Sequence, residues 1–139
     1  MLFPKKVKYR RFQRMRTNPK VVRQASRGTE VNFGTFGMKA LSPARVRSNQ
    51  IEAARRVISR MLSKTGRMWI RIFPDRPWTQ KAAEVGMGKG KGDPQGFEVE
   101  VLPGRVLFEI SGISEEEART AMTKAGKKLP LKTTFVVKQ

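Results

Sequence analysis

The chain has 139 residues and contains neither cysteine nor histidine. A chain of this length is typical of one domain, and the composition excludes disulfides, thiolate metal sites and the most common general base. Lysine and arginine total 30 against 11 acidic residues, so the formal net charge is +19. An excess of this size predicts a polyanionic partner.

Hydropathy predicts that the chain does not cross a membrane. The longest stretch without a charged residue, residues 31–38, has eight residues, whereas a transmembrane helix needs roughly 20 apolar residues. No apolar segment with a cleavage site follows the first residues, so we expect no secretory signal.

The charge is unevenly distributed along the chain. Residues 1–92 carry 23 basic and 4 acidic side chains, whereas residues 93–139 carry seven of each. We therefore expect a polyanion to contact the first two-thirds of the chain. The last third is expected to form an ordinary solvated face.

The first segment is predicted to be a basic arm over residues 1–29. Ten basic residues precede the first acidic one, and Phe3, Tyr9 and Phe12 are interleaved among them. Aromatic rings stack on unpaired bases while cations neutralise phosphates, so this pattern favours an arm that orders on RNA. The alternative is a disordered cationic tail with no fixed partner. The candidate RNA contacts in the arm are Lys5, Lys6, Lys8, Arg10, Arg11, Arg14 and Arg16.

Two elements are predicted after the arm. Apolar alternation changes phase between Phe33 and Phe36, which predicts a strand with a bulge or turn at Gly34. Residues 48–66 then place one apolar stripe at helical spacing, with Ser48 as the N-cap and Gly66 as the terminator. Arg56 and Arg60 lie on the opposite face of this helix, either as solvated charges or, as the charge distribution favours, as phosphate contacts.

Residues 67–73 alternate as a strand. Arg67, Trp69, Arg71 and Phe73 share one face of it. This face is either a buried Trp69 covered by arginine stems or a two-arginine surface that meets a nucleic-acid backbone. The residue pattern leaves these readings evenly balanced.

The remaining pattern is that of a small mixed fold. A Pro-rich connector over residues 74–85 leads into a glycine-rich segment, and two strands over 97–101 and 105–110 are joined through Pro103–Gly104, which suits a type II turn or a wider connection. Ser114 and Glu117 form a capping box that opens a second helix. A β-branched strand follows near the end.

The segment GMGKGKGDP, residues 86–94, does not match the sequence pattern of a nucleotide-binding phosphate loop. Such a loop needs glycine, four residues, then Gly-Lys followed by serine or threonine, and neither Gly86 nor Gly88 starts that pattern. Glycines instead allow a backbone to approach a crowded surface, while Lys89 and Lys91 supply point charges for phosphates. RNA contact is favoured over a mobile surface loop without a ligand.

Several stretches together resemble one family. They are GTEVNFGTFGMKAL, QIEAARR, WIRIFPDRPWTQKAAEVGMGKGKG, PGRVLFEISG and KLPLKTTFV, in this order along nearly the whole chain. They are similar to the bacterial-type "L-sixteen" family of large-subunit ribosomal proteins, related to the archaeal and eukaryotic "L-ten-e" proteins. The family usually has arginine where this chain has Gly86 and threonine where it has Arg47. The stretch over residues 17–27 is a few residues longer than is usual in the family.

The resemblance implies an α+β fold in which two helices pack on a mixed, mainly antiparallel sheet. It implies a basic N-terminal extension over residues 1–29 and a single rRNA-binding domain over 30–139 with a long Gly/Lys loop over 74–96. The loop would face the peptidyl transferase region and the acceptor arm of the tRNA in the aminoacyl-tRNA site (A site), through Met87, Gly88, Lys89, Gly90 and Lys91.

The implied function is that of a structural, non-enzymatic protein of the large subunit, without cofactor or metal, which supports A-site tRNA binding and late subunit assembly. Its expected partners are rRNA, A-site tRNA and neighbouring ribosomal proteins, without a membrane or a second copy. The expected location is the ribosome of a bacterium or of an organelle. A nucleoid-type DNA binder and an enzyme acting on RNA or nucleotides are the alternatives that composition allows.

Overall fold

In the part of the chain that the structure describes, alternating apolar residues form seven strands, and two apolar stripes at helical spacing form two helices. A computed structural model describes residues 1–62 and 64–139. The α+β class expected from the sequence is confirmed. The elements in chain order are β1 (Phe36–Ala40), β2 (Ala44–Arg47), α1 (Ser48–Met61), β3 (Arg67–Ile70), β4 (Arg76–Gln80), β5 (Asp93–Val101), β6 (Val106–Ser111), α2 (Glu115–Gly126) and β7 (Thr133–Val137).

The strands form two sheets where a single mixed sheet was expected. One sheet has the order β3-β6-β1-β7 and the other has the order β2-β5-β4. Every pairing between described strands is antiparallel. β5 and β6 follow each other in the chain but belong to different sheets, so the turn between them passes the chain from one sheet to the other.

That turn has the geometry expected for Pro103–Gly104. Gly104 has a φ of +97°, and the Arg105 N–H donates to the Leu102 carbonyl at 3.3 Å. A positive φ at the third position and this closing hydrogen bond are the features of a type II turn. The prediction of turn type is confirmed, although the two flanking strands do not pair with each other.

The core lies between the helices and the four-stranded sheet and extends to Val46 and Val101 of the three-stranded sheet. Phe108 and Ile110 of β6 are fully buried, and so are Ile51 and Ile58 of α1. The face of α2 that packs inward is built from three alanines and a methionine, Ala118, Ala121, Met122 and Ala125. The small alanine side chains let α2 lie close to its neighbours α1, β1 and β7.

The two helix starts differ from each other. α1 begins at Ser48, so its N-cap is Arg47 and the predicted cap at Ser48 is wrong. Ser48 is buried, and its hydroxyl instead donates to the Leu2 carbonyl at 2.7 Å. The helix ends at Met61, before Gly66. In α2 the expected N-cap is present, because Ser114 Oγ accepts the N–H of Glu117 at 3.3 Å.

The Pro-rich connector contains a strand that the sequence did not predict. β4 occupies Arg76–Gln80 and pairs with β5. Pro77 lacks a backbone donor, but β4 is the edge of its sheet, where a missing donor is tolerated. This pairing reduces the part of the predicted loop that lies outside strands to residues 74–75 and 81–92.

A buried carboxylate holds the entry to β1. Glu109 of β6 is fully buried. Its oxygens accept the N–H groups of Asn32, Phe33 and Gly34 at 2.8, 2.7 and 3.1 Å, and Arg71 Nη1 donates to it at 2.6 Å. Burial alone would raise the pKa of Glu109, but these four donors outweigh it and lower the pKa below its usual value. The carboxylate therefore stays ionised.

Gly34 lies in a bend before β1, and the register irregularity of β1 lies between Met38 and Lys39, so a bulge within a strand at Gly34 is not found. A Cβ at Gly34 would lie 2.6 Å from the Ile110 carbonyl oxygen, so only glycine allows the backbone to approach β6 this closely. Val31 and Phe33 lie before the strand and not within it, because β1 begins only at Phe36.

Replacement of the buried carboxylate tests its structural role. We expect Glu109→Gln to lower the free energy of unfolding by about 3 kcal/mol, because it leaves the Arg71 guanidinium without its counter-ion in a largely buried place. Urea denaturation monitored by tryptophan fluorescence measures this. Glu116→Gln, an exposed carboxylate in the first turn of α2, is the matched control and should cost less than about 1 kcal/mol. Equal losses would contradict a special role for Glu109.

Acid should remove the stability that the ionised carboxylates of Glu52 and Glu109 contribute. The hydrogen bond from Arg55, helped by the nearby charges of Arg55, the amino terminus and Arg56, outweighs a burial effect that would raise the pKa, and it lowers the pKa of Glu52 from 4.5 to about 2. The pKa of Glu109 is also lowered. A carboxyl group with a depressed folded pKa stabilises above its unfolded pKa, about 4.3 for glutamate, and loses that contribution as pH falls through the folded value.

We therefore expect the urea midpoint to be insensitive to these groups between pH 7 and 5 and to fall below about pH 4. Glu109→Gln should show a smaller fall than the unsubstituted chain. Parallel curves for the two proteins would show that Glu109 does not contribute to acid sensitivity.

Candidate nucleic-acid interface

One face of the three-stranded sheet carries charged side chains. Strand alternation places these side chains opposite the buried Val46 and Val101. Across the strands, each glutamate of β5 lies opposite an arginine of β2, and one of them also faces an arginine of β4. An ion pair on this face joins Arg76 Nη1 to the Glu100 carboxylate at 3.2 Å, which leaves the Nη2 donors of Arg76 for other acceptors. The residues of this charged face are Arg45, Arg47, Arg76, Glu98 and Glu100.

The remaining donors bind the backbone of the arm. Arg76 Nη2 donates to the carbonyl of Gln13 at 2.6 Å and to that of Arg14 at 3.2 Å. Arg45 Nη2 also donates to the Arg14 carbonyl. Lys91, from the glycine-rich loop, donates to the carbonyl of Phe12. The arm backbone at residues 12–14 is therefore held against the charged face.

Arg11 joins the arm to the base of the loop. Its Nε donates to the Gly92 carbonyl at 3.3 Å, and its Nη2 lies 3.7 Å from the Asp93 carboxylate. Together with the bond from Lys91 to the Phe12 carbonyl, these contacts connect arm and loop in both directions. The arm and the loop thus share one surface.

The arm is also attached near its ends. The Leu2 carbonyl accepts from Ser48, and Leu2 packs against the core. Towards the domain, Ala25 N–H donates to the Pro103 carbonyl at 2.9 Å and the Gly28 carbonyl accepts from Val106 N–H at 2.8 Å. The basic side chains between these points remain exposed. They are Lys20, Arg23 and all of the predicted arm contacts, Lys5, Lys6, Lys8, Arg10, Arg11, Arg14 and Arg16.

The glycine-rich loop projects from the β4–β5 hairpin. Met87 is 99% exposed, and a Cβ at Gly86, Gly88 or Gly90 would meet no heavy atom within 4 Å. Gly88 and Gly90 have φ values of +91° and +107°, which side chains rarely adopt, and Lys89 between them has a φ of +60°. Gly88 and Gly90 therefore allow backbone conformations in this loop that other residues rarely adopt.

The cations that were predicted on α1 and β3 have different surroundings. Arg56 Nε lies 3.4 Å from the Glu52 carboxylate, so its charge is partly balanced. Arg60 and Arg67 are exposed. Arg71 has a side chain only 15% exposed and pairs with Glu109. These four lie on α1 and at β3, whereas the arm contacts and the loop lie at the other sheet.

The two tryptophans act as packing groups. Trp69 is half-buried and stacks on Phe33, with ring centroids 6.4 Å apart and planes at 23°. Arg71 lies over that same Phe33 ring at 5.0 Å. Trp78 is half-buried under the Arg47 guanidinium, which is 3.9 Å from the ring centroid. Trp69 is thus half-buried and covered by the Phe33 ring, whereas the sequence offered a buried Trp69 covered by arginine stems.

Sequence reasoning missed the residues that anchor the arm. Arg76 lies within the supposed connector, and Arg45 lies in a four-residue strand whose length gives little periodic signal. The alternation Arg45-Val46-Arg47 was a usable signal, since it places two cations on the face opposite a fully buried valine.

Loss of Arg76 should release the arm. We expect Arg76→Ala to lower the backbone order parameters of Gln13 and Arg14 from about 0.8 to below about 0.6, because its two hydrogen bonds to the arm carbonyls would be lost. Nitrogen-15 relaxation measures this. Arg16→Ala is the control, since it removes the same charge from an exposed arm residue. Unchanged order parameters in Arg76→Ala would contradict the anchoring role.

Comparison with known proteins gives the family. No helix in the described residues is long and apolar enough to cross a membrane, and those residues contain no group of three or more acidic side chains that could hold a metal ion. The family description "Ribosomal protein L16p/L10e" matches residues 4–136, a range that includes the arm, both sheets and the loop. The resemblance noted from the sequence is thereby confirmed. The chain belongs to the ribosomal protein L16p/L10e family of structural, rRNA-binding proteins of the large ribosomal subunit.

Proposed function

We propose that the arm and the glycine-rich loop form one surface that binds large-subunit rRNA beside the aminoacyl-tRNA site, in the ribosome of a bacterium or an organelle. The observation that carries this proposal is the capture of the arm carbonyls by Arg45, Arg76 and Lys91. The arm carbonyls at residues 12–14 are bound by the protein, and apart from Arg11, which contacts Gly92 and Asp93, the predicted arm cations have no ion-pair partner in the described residues. Family membership supports rRNA as the polyanion.

The arm binds by neutralising phosphates. Each phosphate contact made by a lysine or arginine releases condensed counterions, so affinity depends steeply on salt. Unpaired bases near the arm can stack on Tyr9 and Phe12, which are both exposed. The arm therefore positions the protein on folded RNA without reading a long sequence.

The loop approaches the site where tRNA is bound. Open space around Gly86, Gly88 and Gly90 allows the backbone to press against RNA. The Lys89 side chain has no hydrogen-bond or ion-pair partner among the described residues, so it is free for a phosphate of rRNA or of the tRNA acceptor arm. With Gly86 in place of the usual arginine, the tip takes its charge from Lys89 and Lys91 alone. In this position the loop supports tRNA binding and late subunit assembly.

The cations outside the arm and the loop contribute unequally. Arg60 and Arg67 are exposed and available for rRNA. Arg56 can contribute only by sharing its charge with Glu52. Arg71 is neutralised by Glu109 and contributes through the fold. The chain acts as a single copy next to neighbouring large-subunit proteins, without catalysis.

Two single substitutions in the loop test this function. Large subunits that lack the protein are reconstituted with each variant and probed by chemical footprinting. We expect Lys89→Ala to lose protection at one rRNA location beside the aminoacyl-tRNA site, because its charge contacts RNA only. Lys91→Ala should lose protection there and also where the arm binds, because Lys91 holds the Phe12 carbonyl.

Lys132→Ala is the control, since it removes one exposed charge from the segment just before β7. Protection elsewhere on the subunit, or identical footprints for Lys89→Ala and the unsubstituted protein, would contradict the placement of the loop. Protection that weakens evenly over the whole rRNA would reduce the protein to a generic polycation.

A further inference from the structure

A basic groove lies between the carboxyl-terminal ends of the two helices. Its volume is about 400 Å³. α1 and α2 pack side by side, and their last turns form its two walls. Two apolar side chains and four cations line it, and no acidic residue does. The residues of this helix-end groove are Val57, Arg60, Met61, Lys124, Lys127 and Lys128.

The four cations of the groove have no protein counter-ion. None of them is within 4.0 Å of a carboxylate in the described residues, where every ion pair involves other side chains. All four are exposed. The carboxyl ends of two helices contribute roughly half a negative charge each, which offsets only about one of the four positive charges. A net charge near three remains in the groove.

The acidic residues of the last third do not reach this groove. Three of the seven, Glu115, Glu116 and Glu117, lie in the first turn of α2. The other four lie on β5 and β6, and none of them lines the groove. Glu116 and Lys127 are eleven residues apart, about 16 Å along a helix axis, and physiological salt screens exposed charges beyond about 8 Å. Residues 93–139 are neutral by composition, but α2 within them is negative at its amino-terminal end and positive at its carboxyl-terminal end. The expectation of an ordinary solvated face there does not describe this end of α2.

We propose that the helix-end groove binds the phosphodiester backbone of rRNA, as a second contact separate from the arm–loop surface. The proposal rests on the proposed function only in taking rRNA as the partner. The lysine ammonium is a compact point charge that can donate hydrogen bonds to phosphates approaching from many directions. The floor of Val57 and Met61 has no polar group to read a base edge, so the groove positions the RNA without reading its sequence. Arg60 joins this contact from α1.

The proposal is tested with full-length protein and a transcript of large-subunit rRNA. The groove variant combines Lys124→Gln, Lys127→Gln and Lys128→Gln. We expect the slope of log affinity against log salt concentration to fall by about 2 to 3, since each lost phosphate contact contributes roughly 0.7 to 0.9. Footprinting should show one group of nucleotides that loses protection only in this variant.

Two matched variants serve as controls. Arginine at the same three positions keeps the charge and should keep the slope and the footprint. Lys5→Gln, Lys6→Gln and Lys8→Gln remove the same charge from the arm and should expose different nucleotides. Thermal unfolding of all three variants shows whether each is folded. If the triple glutamine variant is not, Lys124→Gln and Lys127→Gln are tested singly, and each should lower the slope by about 0.7 to 0.9 and weaken the same local footprint.

The outcomes separate this proposal from its competitors. An unchanged slope with an unchanged footprint would overturn it, as would a fall in slope with evenly weakened protection. Normal rRNA binding combined with loss of the protein from assembled subunits would assign the groove to an acidic neighbouring protein and also overturn it. A local loss in the groove variant beside an unaffected arm variant would support the groove and overturn the arm–loop proposal.

Discussion

The carboxylate of Glu109 lies on β6, between the strand that follows α1 and the strand that follows the arm. A buried carboxylate without partners would cost several kcal/mol, and here three backbone N–H groups and one guanidinium surround it. The three N–H groups belong to the segment through which the arm enters the domain. Their attachment to β6 fixes the point where the arm leaves the folded core, and the position of the arm on the other sheet depends on that point.

Between that point and Leu2, the arm is bound mainly through its carbonyls. A hydrogen bond contributes about 1 kcal/mol net, whereas ordering the backbone of one residue costs about 1 to 2 kcal/mol. The contacts of Arg45, Arg76 and Lys91 therefore balance the ordering of a short stretch near residues 12–14 and little more. A polyanion must supply the rest of the free energy if the whole arm is to adopt one path. Because the protein holds the arm by its carbonyls, the arm cations other than Arg11, which contacts Gly92 and Asp93, are available to that polyanion.

Local patterns in the sequence predicted local structure well. The apolar stripe of α1, the type II turn at Pro103–Gly104 and the cap at Ser114 each depend on residues within a few positions of one another. Pairings between distant segments were not predictable in this way. Arg76 and Arg14 are 62 residues apart in the chain, and Arg71 and Glu109 are 38 apart. No periodicity records which of many cations meets which carbonyl or carboxylate.

The same limit explains the two sheets and the helix-end groove. β5 and β6 have the alternation of a hairpin. They belong to different sheets because β5 pairs with β2 and β4, whereas β6 pairs with β3 and β1. Net charge counted along residues 93–139 is zero, yet the helical rise separates the two signs in space. Family membership, in contrast, was visible in the sequence, because short motifs in a fixed order identify a lineage without any knowledge of pairing.

The base of the glycine-rich loop has a consequence for how this family can vary. A Cβ at Gly92 would lie 2.5 Å from the backbone of Gln80, so the two ends of the loop are closed against each other before it projects. Twelve residues lie between β4 and β5, and fully extended they reach about 20 Å from that base. Doubling the length of a flexible loop costs only about 0.6 kcal/mol. Insertions and deletions at the tip can therefore alter how far the protein reaches while the domain that carries it keeps nearly the same stability.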